Sequence, residues 1–95
     1  MNATLRAKML AYLEAHNVMT LATAGPWAAA VFYVNEGFTL YFLSSPKTRH
    51  AQELAENPRV AITIHEDCAD WLSIKGIQLD GVVAQVSAEE CARVR

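Results

Sequence analysis

Between Val18 and Leu43 the chain carries three short β-prone runs divided by turn residues, and this pattern commits that part of the molecule to sheet. The first, Val18 to Thr23, is closed by Ala24, Gly25 and Pro26; the second runs from Trp27 to Val34. Asn35, Glu36 and Gly37 make a tight connection to the third, Phe38 to Leu43. Val, Phe and Tyr suit a pleated surface and Gly, Pro and Asn suit turns, so the second and third runs are expected to pair as a hairpin. A further strand is expected from Arg59 to His65, with Val60, Ile62 and Ile64 on one face, followed by a polar loop from Glu66 to Asp70. From Trp71 to Val86 a long strand is expected whose apolar phase shifts: Leu72 and Ile74 are even-numbered, Ile77, Leu79 and Val83 odd-numbered. Gly76 sits at the change, which reads as a bulge or sharp bend and favours a barrel over a flat sheet.

Helices flank and interrupt these strands. Leu5, Met9, Leu10 and Leu13 fall at the three-and-four spacing of one helix face, with Asn2 or Thr4 as cap, which predicts a helix over residues 3–16. Ser45 as cap and Pro46 at the first helical position predict a short helix to about Glu56, stopped by Asn57 and Pro58. Ser87 with Glu90 at the capping-box position starts another helix over residues 88–95, where Cys91, Ala92 and Val94 meet no stop signal; this reads as a fragment of a longer chain. The fold class is α+β, mainly β. With 95 residues the chain is expected to be a single domain over residues 1–95, since a second core would need roughly 50 to 100 more.

Composition narrows the function classes. Hydrophobic residues make up 53% and charged residues 19%, a globular balance, and a chain this short leaves apolar surface that a partner subunit would cover, so a homodimer is expected. The net charge is −2 with scattered basic residues, against a nucleic-acid partner. No apolar run approaches the roughly 20 residues of a membrane span, and Arg6 and Lys8 interrupt the amino terminus, so a cytoplasmic protein without membrane association is expected. Cys68 and Cys91 read as free thiols, and Cys68 lies among acidic residues that discourage a thiolate. His16, His50 and His65 lack metal-ligand spacing, so no metal is expected. Trp27 and Trp71, at strand starts, read as core or interface anchors.

The chemistry concentrates in Ser44, Ser45, Lys47, Thr48, Arg49 and His50, which set hydroxyls, cations and an imidazole beside a helix start. Free N–H groups and the helix dipole attract an anion there, Arg49 offers a bidentate fork and Lys47 a compact charge. From spacing alone the commoner arrangement is a capped surface helix in which Arg49 pairs with Glu53 and Lys47 is solvated.

The stretch from Leu40 to Ala61, containing Ser-Ser-Pro-Lys-Thr-Arg-His and Asn-Pro-Arg-Val, resembles the strand, phosphate loop, helix and Asn-Pro-x-Val strand of the pyridoxamine 5′-phosphate oxidase-like FMN-binding split barrels. Met19 to Thr23 and Ala28 to Val34 resemble that family's first hairpin, and Ile74 to Gly81 its following strand, so the likeness covers about Val18 to Glu90. The resemblance implies an FMN-binding split β-barrel, with Thr48 and Arg49 matching the hydroxyl and arginine that hold the phosphate and Ser44 a hydroxyl ending the preceding strand. His50 departs from the lysine of many members, and Lys47 is placed to compensate. Backbone groups of Val31, Phe32 and Tyr33 are the implied contacts of the isoalloxazine edge, and Gln78, as a buried-strand residue, is a further candidate for a flavin hydrogen bond. The implied activity is FMN-dependent oxidoreduction of a small molecule or a nicotinamide nucleotide, by a homodimer holding FMN at its interface. Two other readings stand beside it: a non-catalytic flavin- or haem-binding stress or sensor protein on the same barrel, and an anion-binding or dimerisation module without flavin.

Overall fold

The computed structural model describes residues 2–86, so the helix expected after Ser87, with Glu90 and Cys91, lies outside the described residues. Helix α1 (Ala3–Ala15) begins where Asn2 Oδ1 accepts the Leu5 N–H at 2.7 Å, which makes Asn2 the cap and leaves Thr4 inside. Only the carboxy-terminal end of its apolar stripe reaches the core: Leu13 is buried, Met9 and Leu10 are half-buried, and Leu5 is exposed.

Strands β1 (Val18–Thr23) and β2 (Trp27–Phe32) pair antiparallel, from Val18 opposite Phe32 to Thr23 opposite Trp27. Burial alternates along β1, with Met19, Leu21 and Thr23 inward, the period-two pattern of a strand with one face on the core. The run expected to continue to Val34 breaks instead at Tyr33, whose N–H donates to the Asn17 carbonyl at 2.9 Å and whose hydroxyl donates to the Leu13 carbonyl at 2.7 Å. Beyond it β3 (Val34–Glu36) pairs only with β4 (Thr39–Tyr41). The expected hairpin of the second and third runs therefore shrinks to three pairs, and Asn35 and Glu36, expected in the turn, lie in β3. Gly37 opens the two-residue turn at φ 60°, the left-handed conformation that a type II′ hairpin asks of its first central residue.

Helix α2 (Arg49–Glu56) starts later than Ser45 would have placed it. Ser45 to Thr48 forms a turn instead, with Pro46 at its second position: the Ser45 carbonyl accepts the Thr48 N–H at 3.1 Å and the Thr48 hydroxyl at 2.8 Å, and Ser45 Oγ accepts the Lys47 N–H at 3.2 Å. Proline serves that turn position as well as a helix start. Thr48 is then the cap, its Oγ1 accepting the Ala51 N–H at 3.3 Å.

Strand β5 (Arg59–His65) lies between β1 and β6 (Gly76–Val82), giving a four-stranded order β2-β1-β5-β6 beside the separate β3-β4 pair. Val60, Ile62 and Ile64 point inward as their spacing predicts. The expected long strand from Trp71 is overturned in its first part: Trp71–Ser73 is a 3₁₀ turn capped by Asp70, whose Oδ1 accepts both the N–H and the hydroxyl of Ser73 at 3.1 Å. The shift of phase at Gly76 marks the beginning of β6 and not a bulge within it. A Cβ at Gly76 would lie 2.6 Å from the Ile64 carbonyl oxygen, a close approach that only glycine permits.

The core gathers Leu13, Met19, Leu21, Tyr33, Leu54, Val60, Ile62 and Ile64 between the sheet and the two helices. Each buried aliphatic side chain there contributes roughly 1.5–3 kcal/mol by leaving water. Among the described residues the strands form an open, split arrangement, with β2 and β6 as sheet edges. No helix among them is long and apolar enough to cross a membrane.

Candidate functional site

The end of β2, the start of β3, the end of β4 and the loop into α2 enclose a cleft of about 790 Å³. Val18, Val31, Phe32, Val34, Tyr41, Phe42, Leu43 and Val86 make its walls, and Ser44, Ser45, Thr48 and His50 give it one polar end. Of the residues singled out in the sequence, Val31, Phe32, Tyr33, Ser44, Thr48 and His50 line this single cleft, whereas Lys47, Arg49 and Gln78 do not. Several walls remain open: Phe32 is 74% exposed and Leu43 64%.

The polar end is organised by the first turn of α2. His50 is buried, and its Nε2 stands 2.7 Å from Ser44 Oγ and 3.4 Å from Thr48 Oγ1. Thr48 takes the Ala51 N–H with its side chain and the Gln52 N–H with its carbonyl, so the N–H groups of Arg49 and His50 are the first-turn donors with no intrahelical acceptor. Two first-turn amides, the Ser44 hydroxyl and an imidazole thus stand near the positive end of the helix dipole, while the Thr48 hydroxyl is spent on the Ser45 carbonyl and the Ala51 N–H.

Arg49 faces another way. Its Nε donates to Glu53 Oε2 at 2.7 Å and its guanidinium lies 4.2 Å over the Trp27 ring, so the helical pair that spacing allowed is formed. Glu53 also accepts a hydrogen bond from the buried Thr23 hydroxyl and one from the Gly25 backbone. The Thr23 bond first, then Arg49, holds the Glu53 carboxyl below the usual carboxylate range. A Cβ at Gly25 would overlap that carboxylate, so the turn between β1 and β2 needs glycine to let Glu53 close on it. Sequence reasoning missed this cluster; the signal within reach was Thr23 falling on the same strand face as Met19 and Leu21.

Lys47 is exposed, and its carbonyl accepts the Gln52 side-chain amide at 3.4 Å. Gln78, expected to be buried, is exposed on β6, because Ile77 and Leu79 take the inward positions of that strand. Trp71 is 77% exposed on the 3₁₀ turn, and Trp27 is also exposed, serving as the platform for Arg49. Cys68 is half-buried in the loop before that turn.

A family model described as pyridoxamine 5′-phosphate oxidase matches residues 5–94. A UPF0306 protein of Photorhabdus laumondii is 35% identical over 95% of this chain and 67% of its own length. The chain spans between about half and two thirds of the length of such curated relatives, the lower share being the 48% of a Klebsiella pneumoniae UPF0306 protein. Among solved structures, a Listeria innocua protein provisionally named a pyridoxamine 5′-phosphate oxidase superposes with a TM-score of 0.81 at 26% identity, covering 95% of this chain and 73% of that one. A haem-binding protein of Mycobacterium smegmatis superposes with a TM-score of 0.75 at 29% identity, covering 99% and 40%.

Proposed function

The chain belongs to the pyridoxamine 5′-phosphate oxidase family, and on that premise we propose that it is an FMN-binding flavoprotein that carries out redox chemistry on a small molecule. One observation carries the reading: Ser44, Thr48 and His50 of the loop that resembles the family's phosphate loop line the same cleft as Val31, Phe32 and Tyr33 of the matched flavin-contacting segment, although the matched Arg49 does not. Its volume of about 790 Å³ lies inside the roughly 300–1,000 Å³ of small-molecule sites, and its long apolar wall with one polar end suits a planar ring system bearing a phosphate.

In this reading the Arg49 and His50 amides, with the Ser44 and His50 side chains, hold the phosphate, and Thr48, whose hydroxyl donates to the Ser45 carbonyl at 2.8 Å, fixes the turn that presents them. The ring lies along β2, an edge strand, so every second residue of it turns an N–H and a carbonyl away from β1. Tyr33 has only its carbonyl to offer, since its N–H and hydroxyl are already spent on Asn17 and Leu13. FMN, when bound, supplies the electron and hydride chemistry, and the protein supplies position and exclusion of water. The exposed Phe32 and Leu43 at the cleft call for a covering surface, which supports a homodimer with the flavin at its interface.

The test is the visible spectrum of the purified protein, FMN titration, and reduction by NADH or NADPH. A colourless protein that takes up no FMN refutes the proposal; a flavin that binds and never turns over leaves a non-catalytic flavoprotein. A second reading, haem binding, is supported by the 29% identical mycobacterial haem-binding protein and by a buried imidazole on the cleft. Uptake of hemin with a Soret band, in a protein that ignores FMN, is the result that favours it.

A further inference from the structure

Among the described residues only three cleft-lining side chains titrate, Tyr33, Tyr41 and His50, and only His50 can become positive. We infer that His50, and not Arg49, charges the anion end of this cleft, so that preference for a phosphorylated ligand over its dephosphorylated form is switched by pH. The inference rests on the flavin reading above and specifies which residue discriminates FMN from riboflavin.

Arg49 is committed elsewhere, to Glu53 at 2.7 Å and to the face of Trp27 at 4.2 Å, and Glu53 in turn is held by Thr23 and Gly25. Moving the guanidinium to the cleft would cost both contacts and leave the Glu53 carboxylate without its cation. Lys47 lies on the exposed turn and does not line the cleft. The other titratable side chains lining the cleft are Tyr33, whose phenol burial keeps neutral and whose hydroxyl donates to the Leu13 carbonyl, and Tyr41. Among the described residues the charge lining the cleft therefore follows the imidazole.

Protonation of His50 would act in two ways at once. A neutral ring with its lone pair on Nε2 takes the Ser44 proton across the 2.7 Å contact, directing that hydroxyl away from a ligand. A protonated ring donates from Nε2 to Ser44 Oγ, which frees the Ser44 proton for a phosphate oxygen. One proton thus adds a charge and turns a second donor toward the ligand. A phosphate gains a charge-assisted bond from the protonated ring that the neutral ring does not offer, so its affinity follows the charge on the imidazole.

The experiment measures FMN and riboflavin affinities side by side, by quenching of flavin fluorescence, from about pH 6 to 8.5 in the wild type, His50→Gln, His50→Lys and Arg49→Ala. In the wild type the FMN-to-riboflavin affinity ratio is expected to fall about tenfold or more across that range, the linkage expected for one proton. His50→Lys should hold the ratio high and His50→Gln low, both without this slope, and Arg49→Ala should keep the wild-type curve. The second ionisation of the phosphate, near pH 6, is common to all four proteins and cancels in their differences. A wild-type slope no steeper than that of His50→Gln overturns the inference, as does loss of FMN preference in Arg49→Ala. Riboflavin binding without FMN preference at any pH overturns this inference alone, whereas binding of neither flavin removes the flavin reading beneath it.

Discussion

Replacing Tyr33 by Phe removes one oxygen at the place where β2 becomes β3 and tests how that break is held. Tyr33 is 4% exposed, and its hydroxyl donates at 2.7 Å to the carbonyl of Leu13, itself 3% exposed. Leu13 lies in the last turn of α1, where carbonyls have no intrahelical donor, so the phenol satisfies an orphan acceptor that no water replaces without opening the core. Phenylalanine keeps the ring and hence nearly all of its packing. The cost is then that of a buried carbonyl left unsatisfied, about 1–3 kcal/mol. For a domain of 60–100 residues each kcal/mol lowers Tm by roughly 4–8 °C. Urea unfolding followed by circular dichroism measures the difference, with an unchanged slope showing that the unfolded state is the same. The pH dependence adds an independent check. Burial, with Tyr12 adding to it, holds the Tyr33 phenol above its ordinary 10.0. A raised folded pKa means that the hydroxyl's contribution is complete below about pH 10 and is lost as pH rises through the folded value, so the wild type should lose stability at high pH more steeply than Tyr33→Phe. A variant within about 0.5 kcal/mol of wild type at neutral pH, with the same alkaline limb, would refute the assignment of this bond.

Three further outcomes follow from the packing and the caps. Leu21, at 0% exposure on β1, has no room to be replaced from solvent, and Leu21→Ala should cost about 2–5 kcal/mol in the same urea assay. Thr48→Ala removes the α2 cap and should cost about 0.5–2 kcal/mol, with faster amide exchange confined to Arg49–Glu56. The Glu53 carboxyl has a lowered pKa, so its contribution is present above the ordinary 4.5 and is lost as pH falls through the folded value. Urea midpoints measured across that acid range should therefore fall less in Glu53→Gln than in the wild type.

Much of this architecture is legible in the residues. The alternation in Val18–Thr23 and Arg59–His65 carries both β1 and β5 with their inward faces, and Asn57-Pro58 ends α2 at the expected place. These are local statements: side-chain shape, period and missing N–H groups act within a few residues. The long strand expected from Trp71 does not form in its first part because Asp70 caps a 3₁₀ turn there, a local competitor that loop polarity alone does not reveal. The anion end of the site was legible as a cluster of hydroxyls and cations, yet which of them face the same space was not.

What the sequence by itself determined is α1, β1, β5, the end of α2 and the neighbourhood of the site, Ser44 to His50 beside a helix start and Val31 and Phe32 on a strand. The tertiary structure alone decided the break at Tyr33, the late start of α2 and the separation of His50 from Arg49 into cleft and cluster. Each of those turns on partners far apart in the chain or on competition between equally satisfied local bonds: Tyr33 with Asn17 and Leu13, Glu53 with Thr23, Pro46 in a turn instead of a helix. A residue's type states which bonds it can make, and only the packed fold settles which of them are made.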